Sequence, residues 1–199
     1  MKILFSICFI ILTLFSGATE IKIGLFYGKN IESIVISVVE GEYSLCGNFS
    51  VIRSIESGSI FQIDQSDSKI YIHDADASFG PFERVTFVPK SRNAIFSVRP
   101  VFPALMAIES DDRIDILAEG SFLKLINSID IEKYIAGTVE AEGGSNAMPE
   151  YYKAQAVLVR TFAVRNYYRH AQQGFNLCDD VHCQAYKGKS RMNKQIYFS

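Results

Sequence analysis

The chain has 199 residues, of which 21% are charged and 48% hydrophobic, an ordinary globular balance that excludes wholesale disorder. Its formal net charge is −2, so there is no global basic field of the kind that holds a nucleic acid. The length suffices for one domain with a substantial core, or one domain plus an appendage. Function must therefore reside in a local site.

The first segment has the form of a secretory signal. Lys2 precedes an apolar run from Ile3 to Phe15, and the small residues Ser16, Gly17 and Ala18 follow. The run is shorter than the roughly 20 apolar residues of a membrane-spanning helix. Residues 1–18 are read as a signal peptide cleaved near Ala18, leaving no permanent membrane span; a retained anchor is the ordinary alternative. Cys8 lacks the preceding small residue that a lipid-attachment site would want. Loss of Lys2 takes the net charge from −2 to −3. The expected location is outside the cytoplasm, in the periplasm, cell envelope or extracellular space, where thiols meet non-reducing conditions.

From residue 19 to residue 128 the pattern is of short strands and turns. Ile21–Tyr27 alternates, and Ser33–Val39 is a dense β-branched run. Ser59–Ile63, Lys69–His73, Arg84–Pro89, Ala94–Val98, Ile114–Ala118 and Phe122–Ile126 are further strand candidates, the last two joined at Glu119-Gly120. The clusters Asp64–Ser68 and Asp74–Pro81 read as turns. Cys46 stands alone in a strand-like stretch and reads as a small buried hydrophobe.

After Ser128 the period becomes helical. Asp130 is a suitable N-cap for a helix from Ile131 to about Ala141, with Tyr134, Ile135 and Val139 on its inner face. Pro149 suits the first turn of a second helix, with Glu150 at its positive end. That helix is expected to run to Gln172 or Gln173, with Gly174 as its stop and Tyr152, Ala156, Val159, Ala163 and Tyr167 facing the core. The fold class is thus α+β: a β-rich N-terminal body, residues 19–128, followed by a helical segment, residues 129–199.

Three groups in the helical segment have chemical potential. Lys153 and Arg160 are two turns apart on one stripe, either as snorkelling cations or as heads aimed at an anion or a carboxylate. Glu142 ends the first helix beside two glycines, either as an exposed terminal acid or as a general acid in a cleft. Glu140, two residues earlier, cannot share its face. Cys178, His182 and Cys183 offer thiolate and imidazole donors that suit zinc, with His170 or Asp179 as the fourth ligand. A Cys178–Cys183 disulfide, or a cysteine nucleophile with His182 as its base, competes with that reading.

An ordered set of motifs runs through this segment. It comprises Tyr134–Gly137, Val139–Glu142, Lys153–Val157, Arg160–Ala163 and the run Cys178-Asp179, His182-Cys183-Gln184, Tyr186 and Gly188. It resembles the SpoIID/LytB family of exported bacterial cell-wall proteins. The resemblance implies a lytic transglycosylase acting on peptidoglycan glycan strands stripped of stem peptides. It implies Glu142 as the catalytic acid, Lys153 and Arg160 as supporting or substrate-binding residues, and zinc rather than a disulfide at Cys178, His182 and Cys183. A non-catalytic wall-binding module that stimulates an amidase partner is the alternative within the same family. In most members Met-Pro directly follows the glutamate. Here Gly143-Gly144-Ser145 intervenes before Met148-Pro149, which implies a longer loop. The family's domain also continues past the Cys/His motif, so the resemblance implies a domain cut short at its C-terminal side.

Overall fold

The computed structural model describes residues 19–144 and 146–191; the expected signal peptide lies outside the described residues. Among the described residues, no helix is long and apolar enough to cross a membrane.

Two sheets face each other across one apolar core. The seven-stranded sheet contains β1 (Glu20–Leu25), β3 (Glu42–Gly47), β4 (Ser50–Glu56), β8 (Arg84–Pro89), β11 (Arg113–Glu119), β12 (Phe122–Asp130) and β13 (Leu177–Cys178). Its order is β13-β1-β12-β11-β8-β3-β4. The six-stranded sheet contains β2 (Ser33–Glu40), β5 (Ile60–Ser66), β6 (Lys69–His73), β7 (Ser78–Phe82), β9 (Ile95–Phe102) and β10 (Ile108–Asp111). Its order is β10-β9-β2-β5-β6-β7. Alternation decides which faces meet. Ile34, Ile36 and Val38 of β2 and Ile70 and Ile72 of β6 are buried, while the residues between them are less so. The two layers touch edge-to-face at Phe61 and Phe87, with ring centroids 5.9 Å apart, and at Tyr43 and Phe96, 6.4 Å apart.

The first helix packs against β12 and β1 and the second packs against the first, burying Tyr134, Ile135, Val139, Tyr152, Val159 and Ala163 into the same core. This is the expected α+β architecture of a β-rich body followed by helices. Helix α1 spans Ile131–Gly143, and the Asp130 side chain accepts from the Glu132 amide as its N-cap. Helix α2 spans Pro149–Arg165, with Pro149 in its first turn.

Three expectations are corrected. Helix α2 ends at Arg165 rather than near Gln173, because Asn166 donates from both its backbone and its side chain to the Phe162 carbonyl. The Tyr167 carbonyl is then taken by the Asn176 side chain. A 3-10 turn at Ala171–Gln173 precedes Gly174. The Asp74–Pro81 turn holds edge strand β7: Asp74 Oδ1 closes the turn by accepting from the Asp76 and Ala77 amides, and an edge tolerates Pro81. Strand β12 runs on to Asp130, past the expected end at Ile126. Asn127 sits fully buried because its side chain donates to the carbonyls of Asp111 and Arg113, both at 2.9 Å.

Candidate functional site

The motif residues converge where α1, β10 and residues 176–191 meet. Gly137 sits beneath the strap formed by Tyr186–Arg191, and a Cβ there would overlap the Gly188 carbonyl oxygen and press on the Tyr186 ring. Gly188 has φ +95°, and a Cβ on it would overlap the Glu109 carbonyl of β10. Both positions therefore require glycine. The buried tyrosines of the motif anchor the strap. Tyr186 shares a 2.9 Å hydrogen bond with Ser110, and the Tyr134 hydroxyl donates to Gln184 Oε1 at 3.1 Å.

Helix geometry separates the two acids of α1, as two residues on a 3.6-residue turn require. The Glu140 carboxylate accepts from the Ser190 hydroxyl and, at 3.1 Å, from the Arg191 amide, which ties the strap to the helix. Glu140 lines a groove of about 730 Å³ whose walls include Phe26, Ile108, Gly137, Asp179 and Tyr186. Glu142 does not line it. Glu142 is solvent-exposed at the end of α1 and accepts from Gln155 Nε2 at 2.7 Å.

The two cations on α2 are not directed at Glu142. Lys153 pairs with Glu150 at 3.0 Å, one turn away on its own helix. Arg160 pairs with Glu132 in the first turn of α1. Arg160–Glu132 at one end and Gln155–Glu142 at the other hold α1 and α2 as an antiparallel pair.

The Cys/His cluster is built by clamping residues 176–179 alongside β1. The Asn176 side-chain oxygen accepts from the Lys22 amide at 2.7 Å, and the Asn176 amide donates to the Lys22 carbonyl at 2.8 Å. The Asp179 carboxylate accepts from the Phe26 and Tyr27 amides at 2.6 and 3.1 Å. Burial pushes the Asp179 carboxyl above its usual range, only partly offset by those two amides. Past Asp179 the chain reverses, with the Cys183 amide donating to the Asp180 carbonyl at 2.9 Å, and Cys183 returns beside Cys178.

Ligand atoms of His170, Cys178, His182 and Cys183 all lie within 4.8 Å of one another. Cys183 Sγ is 3.3 Å from His170 Nε2, and His182 Nδ1 is 3.7 Å from Cys178 Sγ and 3.9 Å from Cys183 Sγ. Tetrahedral zinc, with bonds of about 2.3 Å to sulfur and 2.0–2.1 Å to nitrogen, sets neighbouring ligand atoms roughly 3.3–3.8 Å apart. The donor types suit such a centre, and these three separations lie close to its spacing. Both cysteines are free thiols. Burial, with the neighbouring Cys183 thiol adding to it, pushes the Cys178 thiol up to about 12. Of the two candidates for a fourth ligand, His170 joins the cluster and Asp179 binds the Phe26 and Tyr27 amides just past β1. Local spacing carries no signal for the roles of Gln155 and of the Glu140 clamp, although Gln155 lies within the Lys153–Val157 motif.

Comparison with known proteins accords with this geometry. Residues 119–198 match the family described as SpoIID, Stage II sporulation protein. The chain is 36% identical over 74 residues to Stage II sporulation protein D of Bacillus subtilis (strain 168), an overlap covering 35% of this chain and 22% of that protein. The chain thus matches about a fifth of its curated relative. No solved structure matches it. Through this segment, which carries both helices and the Cys/His cluster, the chain is similar to the SpoIID family.

Proposed function

We propose that the protein is an exported peptidoglycan-remodelling enzyme, a lytic transglycosylase that cleaves the bond between N-acetylmuramic acid and N-acetylglucosamine in glycan strands stripped of peptides. The observation that carries this reading is the family match across residues 119–198, a segment that contains Glu142, Lys153 and Arg160. Glu142 stands at the exposed end of α1, where a polymer can reach it. Its carboxyl group gives a proton to the glycosidic oxygen. The carboxylate then takes the proton of the muramic C6 hydroxyl as that oxygen closes a 1,6-anhydro ring. One group acts as acid and then as base, and no water attacks.

Gln155 holds one carboxylate oxygen of this exposed side chain. Arg160 supports the site by bracing α2 against α1 through Glu132. Lys153, exposed beside the helix turn, is placed to meet an anionic group of the strand. We assign zinc to Cys178, Cys183, His170 and His182, a closed four-ligand set of the structural kind. When bound it cross-links the end of the helical segment to the turn at residues 180–183 and replaces the thiol protons.

The non-catalytic alternative, stimulation of an amidase, draws on the groove at Glu140, which lies apart from Glu142. Incubation of the protein with amidase-treated sacculi distinguishes the two readings. Release of muropeptide-free fragments ending in 1,6-anhydro-muramic acid supports the enzyme. Faster amidase action without any glycan cleavage supports the alternative and overturns the enzymatic reading.

A further inference from the structure

The two histidines of the Cys/His cluster present opposite ring nitrogens, and only His170 sets its outer nitrogen against an acceptor. His182 turns Nδ1 toward the sulfurs and is exposed. Its Nε2 lies 3.4 Å from Arg169, which offers only donors. His170 turns Nε2 toward Cys183 and is buried. Its ring stacks on Phe175 at 4.9 Å and meets the edge of Tyr27 at 5.0 Å, so the ring plane is fixed from two sides. Its Nδ1 lies 2.7 Å from Gln173 Oε1.

We infer that Gln173 is a positioning residue for the metal centre: by accepting the Nδ1 proton of His170 it fixes the tautomer that leaves Nε2 free as a ligand. The inference rests on the zinc assignment made above. An amide oxygen can only accept, so Nδ1 must carry the proton and Nε2 the lone pair. Such outer hydrogen bonds orient ligating imidazoles and raise their basicity. Gln173 itself is held by the local backbone. Its amide donates to the His170 carbonyl at 2.8 Å, and its own carbonyl accepts from Lys124 at 3.3 Å. The 3-10 turn at Ala171–Gln173 thus places this acceptor under His170. Gln173 is exposed, so replacing it leaves the core intact.

The test uses the full chain with zinc as the probe, in competition with a chromophoric chelator, together with ¹⁵N NMR of the histidine rings in metal-free protein. Gln173→Leu is expected to weaken zinc about 10- to 100-fold and to mix the His170 tautomers, whereas Gln173→Glu retains both properties. Unchanged affinity and an unchanged His170 tautomer in Gln173→Leu would overturn the inference. Failure of the unsubstituted chain to bind zinc would instead remove the zinc assignment. The His170 tautomer in the metal-free variants then still decides the role of Gln173.

Discussion

Gln155 Nε2 donates to Glu142 Oε2 at 2.7 Å, joining the last turn of α1 to the first turns of α2. The contact spans the turn that follows Gly143, and it is the hydrogen bond that orients the carboxylate assigned as the acid. Gln155→Leu removes one side-chain hydrogen bond at an exposed position. A loss of about 1 kcal/mol, roughly fivefold in glycan cleavage, is expected, with thermal stability unchanged to within about 0.5 kcal/mol. Initial rates on denuded glycan, measured alongside thermal melts, check both parts.

The backbone of Gly188 lies against Gly137 of α1, with no room for a Cβ between them. Gly137→Ala drives a methyl group into the Gly188 carbonyl, which is backbone and cannot rotate aside. Overpacking of this kind costs about 1–3 kcal/mol. In a domain of this size each kcal/mol lowers the melting temperature by about 2–4 °C. A variant that melts with the parent would show that the strap shifts freely off α1.

Asp115 carries a pH dependence whose sign follows from its surroundings. Burial alone would raise its carboxyl. Hydrogen bonds from Arg113, Thr86 and Arg84 outweigh burial, and the folded value lies below the usual range. The folded pKa is therefore below the unfolded value of about 3.9. The resulting stabilisation is complete above that pH and disappears as pH falls through the folded value. Asp115→Asn is expected to lower stability at neutral pH by about 1–3 kcal/mol and to flatten the decline below about pH 4. Urea unfolding at several pH values measures both effects, and an undiminished acid limb in the variant would contradict the assignment.

Much of the fold is legible in local pattern. The alternation of Ile21–Tyr27 and the β-branched run Ser33–Val39 both become strands, and Asp130 caps α1 as its residue type predicts. What the pattern misses is set by distant partners. Asn127 interrupts the apolar reading of β12, yet it is buried because Ser110 and Asp111 of β10 and Arg113 of β11 satisfy its side chain. The helical period continues past Arg165, but Asn176 claims the Tyr167 carbonyl needed for another turn.

The candidate site divides in the same way. The Cys178, His182 and Cys183 spacing reveals the donor types, and His170 could be named as a possible ligand. Its placement depends on Asp179 binding the Phe26 and Tyr27 amides more than 150 residues away. The pairing of Gln155 with Glu142, and of Arg160 with Glu132 rather than with the acid, becomes visible only once α1 and α2 are packed together.

In the proposed reaction Glu142 alone supplies acid and base. The most direct measurement compares the protein with its Glu142→Gln variant on amidase-treated sacculi, with products read by mass spectrometry. The exposed position of Glu142 means that the variant keeps its fold. Loss of general acid–base catalysis is expected to reduce fragments ending in 1,6-anhydro-muramic acid by about 100-fold or more. Persistence of those products at the parent rate in Glu142→Gln would contradict the account.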